Sequence, residues 1–306
     1  MDKHWNAFCA LSLVHFLAFP ECQGGDGLIL ESVARLADDD FFSALEMTRV
    51  NNAAARPQVR SLIEQTHMLL DFGAQPLILG GKLNLNSTDS SERHHAVDTL
   101  KSYLPMAVEL GARAFVILSG ADPGEAGRPE ATERLVESIL ALCEAARGQG
   151  LRVTLETFDR TVDKKALIGP AAEAAALAAT IKADFPDFGL LYDMGHMPLL
   201  DETPRPALNT LKAHLVHAHV GNCVKVTGRP SYGDFHPRFG FPGGENDVPQ
   251  LVDFLRALFE VGYLRENPPV GARPWVGFEM RPQTGETSAV TLANMKRTWH
   301  EAWWRV

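Results

Sequence analysis

Four short apolar runs in the second half of the chain each close on a side chain able to ligate a hard cation. They read Val153-Thr-Leu-Glu156, Leu190-Leu-Tyr-Asp193, Leu215-Val-His217-Ala-His219 and Val276-Gly-Phe-Glu279. Three carboxylates packed together repel and raise one another's pKa values unless a cation neutralises them. Glu156, Asp193, His219 and Glu279 are therefore expected to hold one divalent ion. Oxygen-rich ligation with one imidazole favours Mn²⁺ or Mg²⁺, admits Co²⁺ and disfavours Zn²⁺ where thiolates are absent.

Other polar residues cluster around these four. His217 shares strand parity with His219, so both point to one face, and His217 is expected to pack below its neighbour. His196 follows Asp193 by three residues and is placed to face a substrate. Arg160 and Arg281 trail the two glutamates closely enough to fix carboxylate orientation. The stretch 221–247 is too long for an ordinary barrel connection and is dense in polar and aromatic residues, which suits a lid. Within it Lys225, His236 and Arg238 are read as substrate contacts, with Asp234 a further acid. A second candidate lid runs from Gly80 to Asn86, where Asn84 and Asn86 could bind hydroxyls.

Such residues need a frame that brings distant strand ends together. Short apolar runs alternate with helix-period segments about eight times, the sign of repeated βα units and a parallel sheet. Strands are expected at Phe8–Phe16, Leu45–Val50, Gln75–Leu79, Ala114–Leu118, Val153–Thr157, Gly189–Asp193, Leu215–Val220 and Trp275–Met280. Helices are expected at Leu30–Ser43, Val59–Asp71, Glu92–Leu110, Pro129–Arg147, Ala171–Ala183, Pro206–Ala213, Val248–Val261 and Ser288–Trp299. Eight alternations predict a (β/α)₈ barrel, residues 1–306 forming one domain, with chemistry at the C-terminal strand ends. The competing doubly wound sheet lacks a GxGxxG turn after its first strand.

Composition narrows the function classes. The chain has 306 residues, 45% of them apolar, and carries 38 acidic against 29 basic residues for a net charge of -9. That field opposes phosphate backbones, and no Lys/Arg run overrides it, so nucleic acid is excluded as a partner. No apolar run reaches the roughly 18 residues a membrane span needs. Cys9, Cys22, Cys143 and Cys223 are scattered without a CxxC pair, which fits a reducing cytoplasm.

The ordered set Leu155-Glu156 with Asp159-Arg160, Asp193-Met-Gly-His196, His217-Ala-His219-Val-Gly221, Gly243-Gly-Glu-Asn-Asp247, Gly262-Tyr263 and Gly277-Phe-Glu279 resembles the xylose-isomerase-like barrels. These include sugar isomerases, ketose 3-epimerases and an endonuclease branch, and the resemblance covers nearly the whole chain. It implies that Glu156, Asp193, His219 and Glu279 bind one metal that chelates a keto sugar and stabilises an enediolate. It also implies that Glu156 and Glu279 are the acid/base pair and that His196 holds a substrate oxygen. Where the 3-epimerases carry a substrate-contacting Glu and Arg, this chain has Val162 and Lys225, which argues against a free-ketose 3-epimerase. Xylose isomerase itself is longer and uses a second metal site whose extra ligands the sequence does not reveal. The endonuclease branch needs more histidines and a basic face. Two activities remain: a sugar isomerase or epimerase, and a lyase resembling metal-dependent deglycosidases of 3-oxo-glycosides, whose relatives work with a small β-sheet partner subunit. The substrate is expected to be a sugar or glycoside without phosphate, and homo-oligomers are common in the family.

Overall fold

A computed structural model describes residues 1–269 and 272–306. Eight parallel strands close in sequence order into a barrel: β1 (Ala10–Val14), β2 (Ala44–Met47), β3 (Leu69–Gly73), β4 (Ala114–Leu118), β5 (Arg152–Glu156), β6 (Gly189–Asp193), β7 (Leu215–Gly221) and β8 (Trp275–Glu279). Around them, among the described residues, run α1 (His15–Ala18), α2 (Ile29–Ala37), α3 (Arg56–Gln65), α4 (Gln75–Gly81), α5 (Ser90–Leu110), α6 (Arg128–Arg147), α7 (Ala171–Lys182), α8 (Pro204–Leu211), α9 (Val248–Glu260) and α10 (Ser288–Arg305). Helix starts follow local chemistry. Asp89 caps α5 by accepting from Ser91 N at 2.8 Å, and Asp247 forms a capping box with Gln250 at the start of α9.

The expected barrel is found, with one strand misplaced. Gln75–Leu79 lies in helix α4, and the third strand is Leu69–Gly73, overlapping the end of the helix expected at Val59–Asp71. Asp71 broke the apolar run and made it look like a helix tail. It is instead a barrel residue, 1% exposed, with the Arg152 guanidinium 3.8 Å away. Pro76 sits in the first turn of α4, where its missing N–H leaves no bond unmade. The first strand is also shorter than expected, because His15–Ala18 turns into α1.

The main apolar core lies between the strands and the surrounding helices, with Phe72, Phe115, Phe278 and Trp299 among its largest fully buried members. Ala10, Ala44 and Trp275, at the starts of their strands, form a separate small cluster with Leu69 against it. Higher in the barrel the buried side chains turn polar. Ser12 donates to Glu46 at 2.8 Å, and His217 Nε2 lies 3.2 Å from the same carboxylate.

One irregularity in the barrel bears on the site. The β6–β7 register shifts so that Leu190 pairs with Leu215 but Leu191 pairs with His217, leaving Val216 as an extra residue. The bulge sets Asp193 directly beside His219. Bulges are used in this way next to functional residues. It also fixes Gly189, since a Cβ there would lie 2.3 Å from the Val216 side chain.

The segment Gly80–Asn86 is no free lid. Gly80 and Gly81 end α4, Leu85 and Asn86 are buried, and the Leu85 carbonyl accepts from Ser138 Oγ of α6 at 2.7 Å. Asn86 Nδ2 donates to the Ala121 carbonyl rather than into the barrel mouth.

Candidate functional site

Glu156, Asp193 and Glu279 are the last residues of β5, β6 and β8, and His219 lies two residues before the end of β7. All four are 5% exposed or less. His219 is held between two carboxylates, with Nε2 2.8 Å from Glu46 Oε2 and Nδ1 2.7 Å from Glu279 Oε2. Glu156 Oε1 is 3.5 Å from the same Nδ1. Gly277 makes the arrangement possible: a Cβ there would lie 2.6 Å from Glu46 Oε1 and 2.7 Å from the His219 ring.

Three donor groups converge here: Glu46 with His217 and His219 lower in the barrel, and two above it that share Glu279. Glu156, His219 and Glu279 offer ligand atoms within 4.8 Å of one another, and so do Asp193, His196, His236 and Glu279. Asp193 Oδ2 lies 3.6 Å from His196 Nε2 and 3.7 Å from His236 Nδ1. His196 Nδ1 is 2.7 Å from the Thr157 carbonyl, which can only accept, so the N–H is on Nδ1 and Nε2 faces the carboxylates. Asp234 sits beside both imidazoles, 2.8 Å from His236 Nε2 and 3.2 Å from His196 Nε2. Its other oxygen is 3.1 Å from the Lys164 ammonium.

These residues suit a cation. Buried polar atoms ordinarily find hydrogen-bond partners. Yet Glu156 Oε1, Asp193 Oδ2, His196 Nε2, His236 Nδ1 and both Asp234 oxygens have none of acceptable geometry among the described residues. Several lie close together without being aligned for a bond, as donors do around an ion. The fourth expected ligand, Asp193, offers its oxygen close to His196, His236 and Glu279, and Glu279 links that group to Glu156 and His219. His196 and His236, read from the sequence as substrate contacts, are the added donors of the Asp193 group.

Without a cation the charges lean on one another. Burial pushes the His219 imidazolium down, but the Glu46 and Glu279 carboxylates outweigh it and hold its pKa well above the ordinary value. Burial raises the Asp234 carboxyl, yet His196, His236 and Lys164 overcome it and hold the group well below the usual carboxylate range. Glu279 is raised, by burial and by the Glu156 charge, while His219 and Gln75 lower Glu156 against its own burial.

The sequence passed over three supporting residues. Glu46 accepts the His219 Nε2 hydrogen and so turns Nδ1 toward Glu156 and Glu279, the usual carboxylate support of a metal-binding imidazole. Its signal was a lone charge inside the apolar run Leu45-Glu46-Met47. Gln75 donates to Glu156 Oε2 at 2.7 Å, hidden because its segment was read as a strand. Lys164 is aimed by Asp159, whose carboxylate accepts the backbone N–H groups of Val162, Asp163 and Lys164, each at 2.7 Å.

The long connection after β7 brings some of its expected residues to the site and not others. His236 reaches the cluster, with its backbone in the left-handed region at φ 48° and its carbonyl accepting from Arg281 N at 2.7 Å. Lys225 instead pairs with Asp201, and Arg238 with Glu286 at 2.8 Å, and neither lines the cavity above the cluster. Arg281 does line that cavity. Arg160 pairs with Glu173 of α7 rather than with Glu156, and His217 packs beneath His219 with ring centroids 4.8 Å apart. The connection is pinned at its base, where Asn246 Nδ2 donates to the Gly221 and Met194 carbonyls.

The four cysteines are free and buried, and no helix among the described residues is long and apolar enough to cross a membrane. No curated protein matches the chain by sequence. Solved structures match over nearly its full length at low identity, a likeness of fold. The IolI protein with a bound zinc atom has a TM-score of 0.71 at 15% identity, covering 96% of this chain and 97% of that one. D-psicose 3-epimerase with D-tagatose from Clostridium cellulolyticum H10 gives 0.64 at 20% identity, covering 96% and 95%. The 3-keto-D-glucoside 4-epimerase YcjR from E. coli gives 0.64 at 14% identity, covering 95% and 98%. A family model of the xylose isomerase-like TIM barrel matches residues 36–291, and the chain belongs to that family.

Proposed function

We propose that this chain is a divalent-metal-dependent isomerase or epimerase of a keto sugar, with Glu156, Asp193, His219 and Glu279 as metal ligands. The observation that carries the reading is the convergence of buried, unpartnered donor atoms at the C-terminal strand ends, below an open cavity. Sugar epimerases among the solved structures of the same fold support it. The donor set is mixed carboxylate and imidazole, which suits Mn²⁺ and Co²⁺ and leaves Zn²⁺ open. His196 and His236, with Asp193 and Glu279, provide room for a second ion or for substrate oxygens.

A bound divalent ion would supply Lewis-acid stabilisation of the negative charge that builds on the sugar's carbonyl oxygen. Proton transfer falls to Glu156 and Glu279. Their strands are separated by β6 and β7, so the two carboxyl groups approach from different walls of the barrel. One removes the proton from the carbon next to the carbonyl, and the other returns a proton to the opposite face or to the neighbouring carbon. Gln75 holds one Glu156 oxygen and leaves the other toward the site. His196, its ring fixed through Thr157, would hold a substrate oxygen.

The test is elemental analysis of purified protein followed by deuterium uptake from D₂O into a panel of ketoses, before and after metal stripping. The reading expects bound metal and label that appears in recovered sugar only when metal is present. Protein that takes up no divalent metal on reconstitution sinks it.

A further inference from the structure

The cavity over Glu279 and His236 encloses about 290 Å³ and has two chemically different linings. Lys164, Asp234, His236, Glu279 and Arg281 belong to its polar part, as do Gln23, Gln75 and Asp163. Phe16, Leu17, Pro76, Leu79, Phe158 and Phe235 make the other. Two of these apolar side chains stand largely in water, Leu79 at 41% and Phe235 at 50% exposure. Phe235 is not exposed by slackness. Its neighbours Asp234 and His236 are 4% and 5% exposed, and its carbonyl accepts from Gln283 Nε2 at 3.0 Å, so the ring is held out between two buried anchors.

A free ketose carries oxygen on every carbon. Seated on Glu279 and His236, it would leave this apolar lining in contact with water. Apolar surface held open at a site stabilises a ligand that covers it, in proportion to the area removed from water. We infer that the substrate is a keto sugar bearing an apolar substituent about the size of an aromatic ring, seated against Phe235, Leu79 and Phe16. This rests on the reading of the site as a sugar isomerase or epimerase and names the substrate class it serves.

The probes are methyl and phenyl 3-oxo-glucosides, identical in the sugar, and a free ketose panel. Each is offered to the metal-reconstituted full chain, with binding read by titration calorimetry and turnover by deuterium uptake. The phenyl compound is expected to bind about tenfold tighter than the methyl compound, and Phe235→Ala or Leu79→Ser to narrow that ratio to within about threefold. Both side chains are partly exposed, so neither substitution opens a core cavity. Equal affinity for the two glucosides, or a ratio unmoved by Phe235→Ala, overturns the inference. Label entering free ketoses would then leave the isomerase reading standing. Tighter phenyl binding without label in any sugar keeps the apolar subsite and overturns the isomerase reading instead.

Discussion

Two histidines buried at the same end of the barrel live under opposite rules. His15 follows β1 beside Ser32 and Phe19, and burial alone lowers its pKa to about 4. His219 in β7 is equally buried, yet the carboxylates of Glu46 and Glu279 hold it well above the ordinary value. The contrast extends to the surroundings. Around β1 and β3 the mouth is built largely from Phe16, Leu17, Pro76 and Leu79, while β5 to β8 carry Glu156, Asp193, His219 and Glu279 at or near their ends. Depth is the same on both sides. What differs is whether other charges are buried alongside, and that decides which half can take a cation and which an apolar group.

The largest expected effects come from breaking the charged half. Glu156→Gln and His219→Ala should each lower kcat/KM by about a thousandfold or more and release the metal. Metal-free Glu156→Gln should be no less stable than metal-free wild type, because one of several crowded buried carboxylates loses its charge, whereas metal-free His219→Ala should be less stable, because Glu46 and Glu279 lose the imidazolium between them. Elemental analysis and urea denaturation read both arms, and full metal occupancy in both variants would remove them from the ligand set.

The neutral half gives a pH signature. His15 is neutral when folded at any pH above about 4 and takes a proton in the unfolded chain below its ordinary 6.5. Its stability is therefore fully present above pH 6.5 and falls as the pH drops toward 4, by about 3 kcal/mol in all. Denaturation of His15→Gln, which cannot titrate, should lose that part of the acid limb. An unchanged limb would mean that His15 is not buried neutral.

A slope of the opposite sign is expected from the charged half in metal-free protein. Burial lowers His236, but Asp234 and Glu279 outweigh it and raise the imidazole to about 9. A raised histidine stabilises fully below pH 6.5, and the contribution is lost as pH climbs through 9. Thermal melts of metal-free protein should decline over that window, and melts of metal-loaded protein should stay flatter. Equal slopes in the two forms would separate His236 from the metal cluster.

The same contrast explains what could be read from the sequence. Strand β4 was legible as an unbroken apolar run, and β5 to β8 because each is an apolar run closed at or near its end by a polar residue that belongs to the candidate site. The early half carries no such punctuation. Asp71 interrupts β3 and disguised it, while Glu46 lies inside an apolar run and was passed over although it orients His219. Gln75 went unseen because its reach to Glu156 exists only once β3 is placed correctly. Lys225 and Arg238 were drawn into the site by their neighbourhood in sequence, but the loop path turns them outward.

That outward turn gives the smallest expected effect. Lys225 is 39% exposed and pairs with Asp201, itself 83% exposed, and such surface pairs contribute under about 1 kcal/mol. Lys225→Ala should leave KM within about twofold of wild type and stability within experimental scatter. Lys164 is the ammonium that does line the cavity, pinned between Asp163 and Asp234. Lys164→Met, which keeps the length and removes the charge, should raise KM by about tenfold because the cavity loses its ammonium and Asp234 is left with only the two histidines against its buried charge. Steady-state kinetics on the two variants decide which lysine the substrate meets. A tenfold rise in KM for Lys225→Ala would mean that the connection after β7 folds inward when substrate is bound.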